Sequence, residues 1–140
     1  MIKTLFAAAF LLVSQVASAD EKEADACLRT KVWDGYKDGW AIRTMTSTTL
    51  TAGATRNYLV TFYKGNEYQI QACGDSASGN LDLVLYDLNG QVLQKDDTKN
   101  RQPVMLIKPD KTATYYIVVH ARDLTEGQKD TGISVAVTYR

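Results

Sequence analysis

The residues whose types suggest chemistry cluster in the stretch ACGDSASGNLDLVLYDLNG, at positions 72–90. Within it, Ser76 of GDSASG could serve as a nucleophile if a base lay within hydrogen-bond reach and an acid oriented that base. The sequence contains one histidine, His120, which lies in an alternating strand pattern typical of a structural residue. The small and polar residues of GDSASG are also typical of a turn. We therefore expect that the protein is not an enzyme. The alternative is a hydrolase that uses Ser76.

Four aspartates in or just after this stretch could instead hold a metal ion: Asp75, Asp82, Asp96 and Asp97. A type I turn with a bulge at YDLNGQ predicts that Asp82 lies opposite Asp96 on a β-hairpin, and a two-residue Asn-Gly turn shifts the partner to Asp97. Carboxylates directly opposed on a sheet are destabilising, so a lysine, solvent or a cation must compensate. Calcium accepts about six to eight oxygen ligands. The sequence thus leaves two interpretations, a solvated acidic edge and a calcium site.

The two cysteines, Cys27 and Cys73, predict a disulfide bond, because an even pair in an exported chain is most simply a bridge. Two free buried thiols are the alternative. A metal site built on the pair is disfavoured, because zinc requires further ligands and His120 is the one histidine in the sequence.

The N-terminal residues have the organisation of a secretory signal peptide. Lys3 precedes the apolar run LFAAAFLLV at 5–13, and the small residues ASA at 17–19 suit a signal peptidase. We predict cleavage after Ala19 and export to the periplasm or the medium. The apolar run is shorter than the ~20 residues of a membrane span, so membrane insertion is not expected. The remaining residues, 20–140, carry one more acidic than basic side chain and no basic block, which disfavours nucleic acid as a partner.

From residue 57 onward, apolar residues alternate with polar ones at the period of a β-strand. β-Branched and aromatic residues dominate these runs, and turn signals such as KGN, NG and KPDK separate them. Six or seven short strands without intervening helices predict an all-β fold, an antiparallel jelly-roll-like β-sandwich. We assign the sandwich to residues 50–140. The runs are NYLVTFYK, NEYQIQAC, LDLVLYD, PVMLIK, TYYIVVHA and GISVAVTYR.

Residues 20–49 form a different segment, polar at first and then aromatic, which we expect to be partly helical. Gly35 and Gly39 each cost about 1 kcal/mol inside a helix, so the sequence favours one broken helix, with two Asp-Gly turns as the alternative. On the strand NEYQIQAC, Cys73 lies on the face opposite the expected core side. A bridge from Cys27 to Cys73 therefore predicts that the segment lies on the outer face of one sheet.

The aromatic residues of this segment share a stripe at helical spacing. If exposed, they are candidates for contacts with a binding partner. Alternatively, they fill the seam between the segment and the sheet, which is the interpretation we favour. The candidates are Trp33, Tyr36 and Trp40, together with Tyr58 and Tyr63 on the first predicted strand.

The run YQIQACGD…NLDLVLYDLNGQVLQKDD…VMLIKPDKTATYYIVVHA resembles the bacterial pre-peptidase C-terminal domain family over residues 50–140. The shared features are an aromatic strand, the LDLxLYDxNG hairpin, an Asp-Asp pair after it and a TYYIxV strand. Ala113 replaces the usual glycine before that last strand. The resemblance implies a jelly-roll-like, non-catalytic domain of the kind that often accompanies secreted enzymes.

These observations together predict a small exported protein without catalytic activity that binds or assists another secreted or periplasmic protein. The expected partner is an unknown protein or a polysaccharide. The alternative function is a calcium-stabilised adhesion or carbohydrate-binding module.

Overall fold

The structure is a computed structural model that describes residues 19–140; the predicted signal peptide, apart from Ala19, lies outside the described residues. Within this range, one helix precedes eight β-strands. The elements are α1 (Glu21–Tyr36), β1 (Ala41–Thr51), β2 (Thr55–Phe62), β3 (Tyr68–Gly74), β4 (Ser78–Asp87), β5 (Val92–Asp96), β6 (Val104–Ile107), β7 (Ala113–Leu124) and β8 (Asp130–Tyr139).

The strands form two four-stranded antiparallel sheets. The first sheet has the order β1-β8-β3-β6, and the second has the order β2-β7-β4-β5. Alternate residues of the strands point inward, and the two inner faces enclose one apolar core. In this core Phe62 packs against Tyr68 and Tyr115, with ring centroids 4.3 and 5.5 Å apart. The predicted antiparallel β-sandwich is therefore confirmed.

Helix α1 is continuous rather than broken. The carboxylate of Asp20 caps its first turn by accepting a hydrogen bond from the Glu23 amide at 3.0 Å. Gly35 lies in the last turn, and Gly39 lies beyond the helix with a φ of +88°. The prediction of a break was wrong because neither glycine occupies the middle of the helix. No helix within residues 19–140 is long and apolar enough to cross a membrane.

Helix α1 lies on the outer face of the first sheet. Its Leu28 and Val32 pack against Cys73 of β3 and Ala136 of β8, and these side chains form a second, smaller apolar cluster. The predicted disulfide joins Cys27 to Cys73, with a Cα–Cα distance of 6.0 Å. Both the pairing of the cysteines and the position of the segment outside the sheet are confirmed.

Strand β1 extends the sandwich to the N-terminal side of the predicted boundary at residue 50. It pairs along its length with β8 and forms an edge of the first sheet. Its sequence, AIRTMTSTTLT, is rich in threonine, and Leu50 is its one buried residue. Little of this strand is buried, and the apolar alternation that marks the strands after residue 57 is missing here.

Candidate functional site

The structure separates the two residues of the hydrolase alternative, Ser76 and His120. Ser76 lies in the β3–β4 loop, where its hydroxyl donates to Glu23 at 3.3 Å and its carbonyl accepts from the Thr125 hydroxyl at 3.5 Å. His120 lies within β7, opposite Asp82 of β4. At about 3.3 Å per strand residue, the distance along the chain from His120 to Thr125 is on the order of 15 Å. The serine and the histidine are therefore too far apart for proton transfer, and this catalytic site is not assembled.

The β4–β5 hairpin departs from the first of the two predicted registers, the one that sets Asp82 opposite Asp96. Leu85 lies opposite Gln94 rather than Leu93, because a bulge adds one residue to β5. Asp96 consequently lies opposite Leu83. Neighbouring residues of a strand project to opposite faces, so Asp96 and Asp82 do not face each other. The predicted opposition of Asp82 and Asp96 is therefore wrong, and the pairs beyond the bulge follow the alternative register, in which Asp97 is the residue expected opposite Asp82.

The nearly buried carboxylate of Asp82 pairs with a cation of the protein itself. Arg122 donates to both of its oxygens, from Nε at 2.8 Å and from Nη2 at 2.7 Å. The same Nη2 donates to the Asp97 carbonyl at 3.1 Å, and His120 Nδ1 lies 3.4 Å from Asp82. The hydrogen bonds to Asp82 and its negative charge raise the pKa of Arg122. Arg122 is thus the compensating cation, and only the β4–β7 register could have revealed it from sequence.

Two further candidate ligands also have partners within the protein. Asp96 accepts hydrogen bonds from the amide and hydroxyl of Thr98, at 3.1 and 2.7 Å, and from the Val104 amide at 2.9 Å. Burial raises the pKa of Asp96, but these hydrogen bonds outweigh burial and lower it below its ordinary value. Asp97 pairs with Lys95 at 3.1 Å. In the part of the chain that the structure describes, no three histidine, cysteine, aspartate or glutamate side chains are grouped closely enough to hold a metal ion.

Asp75 is the most enclosed of the four aspartates, with 1% of its surface exposed. Its Oδ2 accepts from the backbone amides of Asp20 and Gly132, each at 2.8 Å. Its Oδ1 accepts from the Ala77 amide at 2.9 Å and from the Thr131 hydroxyl at 2.7 Å. Burial raises the pKa of Asp75, but the four hydrogen bonds outweigh burial and lower it below its ordinary value. Asp75 therefore fastens the start of α1 to β8.

Two of the three candidate contact aromatics on the N-terminal segment are exposed. Trp33 and Tyr36 expose 69% and 65% of their surfaces, and their rings stack with centroids 5.9 Å apart and planes inclined by 12°. Trp40 is instead buried, and the Arg140 guanidinium lies 4.5 Å from the centroid of its ring. Tyr58 packs in part against the core. The interpretation that the aromatics fill the seam holds for Trp40 and is wrong for Trp33 and Tyr36.

A groove of about 490 Å³ lies beside Trp33, between α1 and the edge strand β1. Val32, Ile42 and Met45 supply its other apolar side chains, and Ile42 is exposed. Arg29 lies on its polar rim. We call this feature the α1–β1 groove. It places a concave apolar surface directly beside the stacked aromatic rings.

A second depression, of about 400 Å³, shares Ile42 with the α1–β1 groove. Tyr63, Tyr68 and Tyr139 contribute aromatic rings to its lining. The guanidinium of Arg43 lies 5.6 Å from the centroid of the Tyr63 ring and 5.8 Å from that of Tyr68. Tyr63, a predicted contact candidate, is exposed. Apolar surface thus continues from the end of α1 around the start of β1.

Whereas α1 covers the first sheet, the outer face of the second sheet presents a row of apolar side chains, one from each strand. Leu59 lies opposite Tyr116, Tyr116 lies opposite Tyr86, and Tyr86 lies opposite Val92. Leu59, Tyr116 and Val92 are exposed. We call this feature the tyrosine row. It is a second candidate surface, built on a sheet face rather than in a groove.

The fold is shared with two solved structures of low sequence identity. One is PliG, a periplasmic lysozyme inhibitor of g-type lysozyme from Aeromonas hydrophila, with a TM-score of 0.54 and 15% identity over 71% of this chain and 88% of that chain. The other is the pre-peptidase C-terminal domain of a collagenase from Bacillus anthracis, with a TM-score of 0.54 and 16% identity over 69% of this chain and 89% of that chain. No protein-family model and no curated protein matches the sequence. The resemblance to a pre-peptidase C-terminal domain is therefore confirmed at the level of the fold.

Proposed function

We propose that this protein is an exported module without catalytic activity that binds another protein through the α1–β1 groove and the adjoining Trp33–Tyr36 stack. The stack carries the proposal, because its two large rings are about two-thirds exposed and lie parallel to each other. Tryptophan and tyrosine are enriched at the energetically dominant positions of protein interfaces. A contiguous exposed apolar surface is typical of an interaction site.

The groove is preformed, which lowers the entropic cost of binding. The start of α1 is fixed by Asp75, and its second turn is fixed by the Cys27–Cys73 bond. The turn that follows α1 is fixed by Arg140, which donates to the Asp38 carbonyl at 3.0 Å. A partner therefore meets two walls, α1 and β1, whose spacing is set before binding.

The chemistry of the groove suits an apolar side chain presented by a protein. Val32, Ile42 and Met45 form an apolar lining, and the unbranched methionine can adapt to the shape of an inserted group. Arg29 and Asp34 also line the groove, so it offers hydrogen-bonding groups of both signs beside the apolar side chains. An apolar centre with a polar rim is the usual anatomy of a protein interface.

The fold neighbours support a protein partner and an exported location. The Aeromonas protein is an inhibitor of a lysozyme, so a sandwich of this fold can serve by binding an enzyme. It is also periplasmic, and disulfides such as Cys27–Cys73 persist in oxidising compartments of that kind. These similarities support protein binding in an exported location, and the experiment that follows is designed to identify the partner.

Photo-crosslinking in the producing cell tests the proposal. A photoreactive phenylalanine analogue replaces Ile42 in the α1–β1 groove or, as the matched control, Leu59 in the tyrosine row. Both positions are exposed and lie on edge strands. We expect a discrete protein adduct from position 42 that is missing from position 59. Adducts formed at position 59 alone would contradict the proposal.

Affinity measurements with the purified partner then test the role of the stack. Trp33→Ala should weaken binding at least about tenfold, because truncation of a dominant interface residue costs more than about 1.4 kcal/mol. Leu59→Ala should leave the Kd within about twofold. A Kd that is unchanged by Trp33→Ala would exclude the stack as the binding surface.

Carbohydrate binding through the tyrosine row is a second candidate function. It is favoured by Tyr86 and Tyr116, which lie opposite each other on an uncovered sheet face. Tyrosine rings pack against the apolar faces of sugars while their hydroxyls form hydrogen bonds. Retention on insoluble polysaccharide that is lost in Tyr116→Ala and kept in Trp33→Ala would support this function. Retention that does not depend on Tyr116 would exclude it.

A further inference from the structure

The backbone nitrogen of Asp20 lies 2.8 Å from Oδ2 of Asp75, a carboxylate with 1% of its surface exposed. The Asp20 carbonyl accepts from the Ala24 amide at 3.2 Å, and its side chain caps α1, so three separate contacts position this residue. Asp20 is also the first residue after the predicted cleavage site. The atom beside the buried carboxylate is therefore the one that cleavage would convert into an α-amino group.

From this geometry we infer that hydrolysis of the Ala19–Asp20 bond is a modification that strengthens the fold, because the new α-ammonium group forms an ion pair with Asp75. One water molecule is consumed in the cleavage by an export peptidase. Ala19 leaves with a carboxylate, and Asp20 keeps the nitrogen as an amine that takes up a proton at neutral pH. A contact between opposite full charges thereby replaces an amide hydrogen bond. The inference rests on the predicted signal peptide and is independent of the proposed binding surface.

The charges around this nitrogen are mostly acidic and favour the protonated amine. Asp20 itself carries a carboxylate, the first turn of α1 contains Glu21 and Glu23, and the β3–β4 loop contributes Asp75. The Arg101 guanidinium lies 3.5 Å from the Asp75 carbonyl, and the positive end of the α1 dipole opposes the ammonium charge. Asp75 outweighs both because it is in direct contact and shielded from water. We expect the pKa of the Asp20 amine to lie above the ordinary range of about 7.7–8.0.

The β8 residues that lie against this site, Gly132 and Thr131, are uncharged. A Cβ on Gly132 would lie 2.6 Å from the carbonyl carbon and oxygen of Asp20, so glycine is what permits this approach. The neighbouring Thr131 donates its hydroxyl to Asp75. The site therefore presents the new amine with one dominant charged partner.

Three forms of the protein test the inference: one that begins at Asp20, the same chain with an acetylated amine, and one with a short extension before Asp20. We expect the free-amine form to have the highest Tm at pH ~7. The stabilisation of a group with a raised pKa is complete below its unfolded pKa and is lost as the pH rises through its folded pKa. The advantage should therefore disappear as the pH rises through the pKa of the folded amine, and NMR titration should place that pKa above the value in an unfolded peptide.

Asp75→Asn is the matched control, because it keeps the shape of the side chain and removes its charge. In this background the free and acetylated forms should unfold at the same temperature; if the variant does not fold, the NMR titration of the native protein decides. Equal Tm values for the free and acetylated native forms would overturn the inference, as would an amine pKa at or below the peptide value. An exported protein whose measured mass places its first residue elsewhere than Asp20 would overturn it as well.

Discussion

Arg122 and Asp82 form a two-point ion pair on the outer face of the second sheet, with nitrogen–oxygen distances of 2.8 and 2.7 Å. The side chain of Asp82 is nearly buried, whereas that of Arg122 is about one-third exposed, so the guanidinium covers the carboxylate from the solvent side. The planar arginine fork matches both carboxylate oxygens, which a lysine cannot do. The cation that compensates the charge of Asp82 is thus supplied by β7.

Arg122→Met should destabilise the protein more than the double variant Arg122→Met/Asp82→Asn. The single variant leaves the Asp82 charge without its partner, whereas the double variant removes both charges. Thermal unfolding at neutral pH measures the difference. Lys95→Ala is the control, because the Lys95–Asp97 pair is exposed and should change the Tm by no more than about 2 °C. A single variant as stable as the native protein would show that the pair contributes nothing.

Calcium should leave the stability of the protein unchanged. Asp75, Asp82 and Asp96 already accept hydrogen bonds from donors of the protein, which a cation would have to displace. We expect the Tm in about 2 mM calcium to match the Tm in a chelator within about 1 °C, because a ligand that does not bind the native state cannot stabilise it. A rise of several degrees that Asp82→Asn abolishes would instead support the calcium-stabilised module.

Asp75→Asn should lower the free energy of unfolding by about 2–4 kcal/mol, because buried donors then lose a charged acceptor. The folded-state pKa of Asp75 is lowered, so its stabilisation is complete above the ordinary carboxyl pKa of about 3.9 and is lost as the pH falls through the folded value. Urea unfolding across the acid range should show a shallower loss of stability in the variant. Asp96→Asn, at a less buried carboxylate, should have the smaller effect at neutral pH. Native-like stability of Asp75→Asn would refute the role of this carboxylate.

Gly132→Ala should destabilise the protein by more than about 1 kcal/mol, because the added Cβ would lie 2.6 Å from the Asp20 backbone and press α1 away from β8. Gly35→Ala is the control, because this substitution should instead raise the stability of the protein. A Cβ at Gly35 would meet Trp40 at an ordinary 3.6 Å, and alanine is favoured over glycine in a helix by up to about 1 kcal/mol. Chemical denaturation measures both effects. Equal stabilities of the two variants would be inconsistent with a close approach of Asp20 to β8.

Trp33→Ala and Trp40→Ala should differ sharply in stability. Trp33 is mostly exposed, and its replacement should change the free energy of unfolding by no more than about 0.5 kcal/mol. Trp40 is buried, and its replacement should cost about 3–5 kcal/mol. Thermal and urea unfolding compare the two variants. A large loss in Trp33→Ala would mean that this ring supports the fold rather than a binding partner.

The parts of the fold that follow from local alternation could be predicted from sequence. Strands β3, β4, β7 and β8 each bury one face in the core, so their apolar residues recur every second position. The same parity places Cys73 outside the sheet and therefore predicts where the bridge to Cys27 holds the N-terminal segment. Neither prediction requires knowledge of which strands pair.

The features that the sequence did not predict depend on pairing between distant residues or on where a helix or strand ends. Arg122 meets Asp82 because β4 and β7 are neighbours with His120 opposite the aspartate, which no local pattern encodes. The buried stripe of α1 repeats every fourth residue and reaches Val32, so Trp33 is rotated by about 100° away from the sheet. The stripe is formed by Ala24, Leu28 and Val32.

The Cys27–Cys73 bond also determines how the protein would bear mechanical force. It closes a covalent ring that contains the C-terminal half of α1, strands β1 and β2, and nearly all of β3. Tension applied ahead of Cys27 is borne first by the contacts of Asp20 with Asp75 and β8, and it then passes through the two sulfurs into β3, which is held between β8 and β6. The α1–β1 groove lies within the ring and carries no load while the bond is intact. Reduction of the bond would send the same load through the walls of the groove and pull them apart.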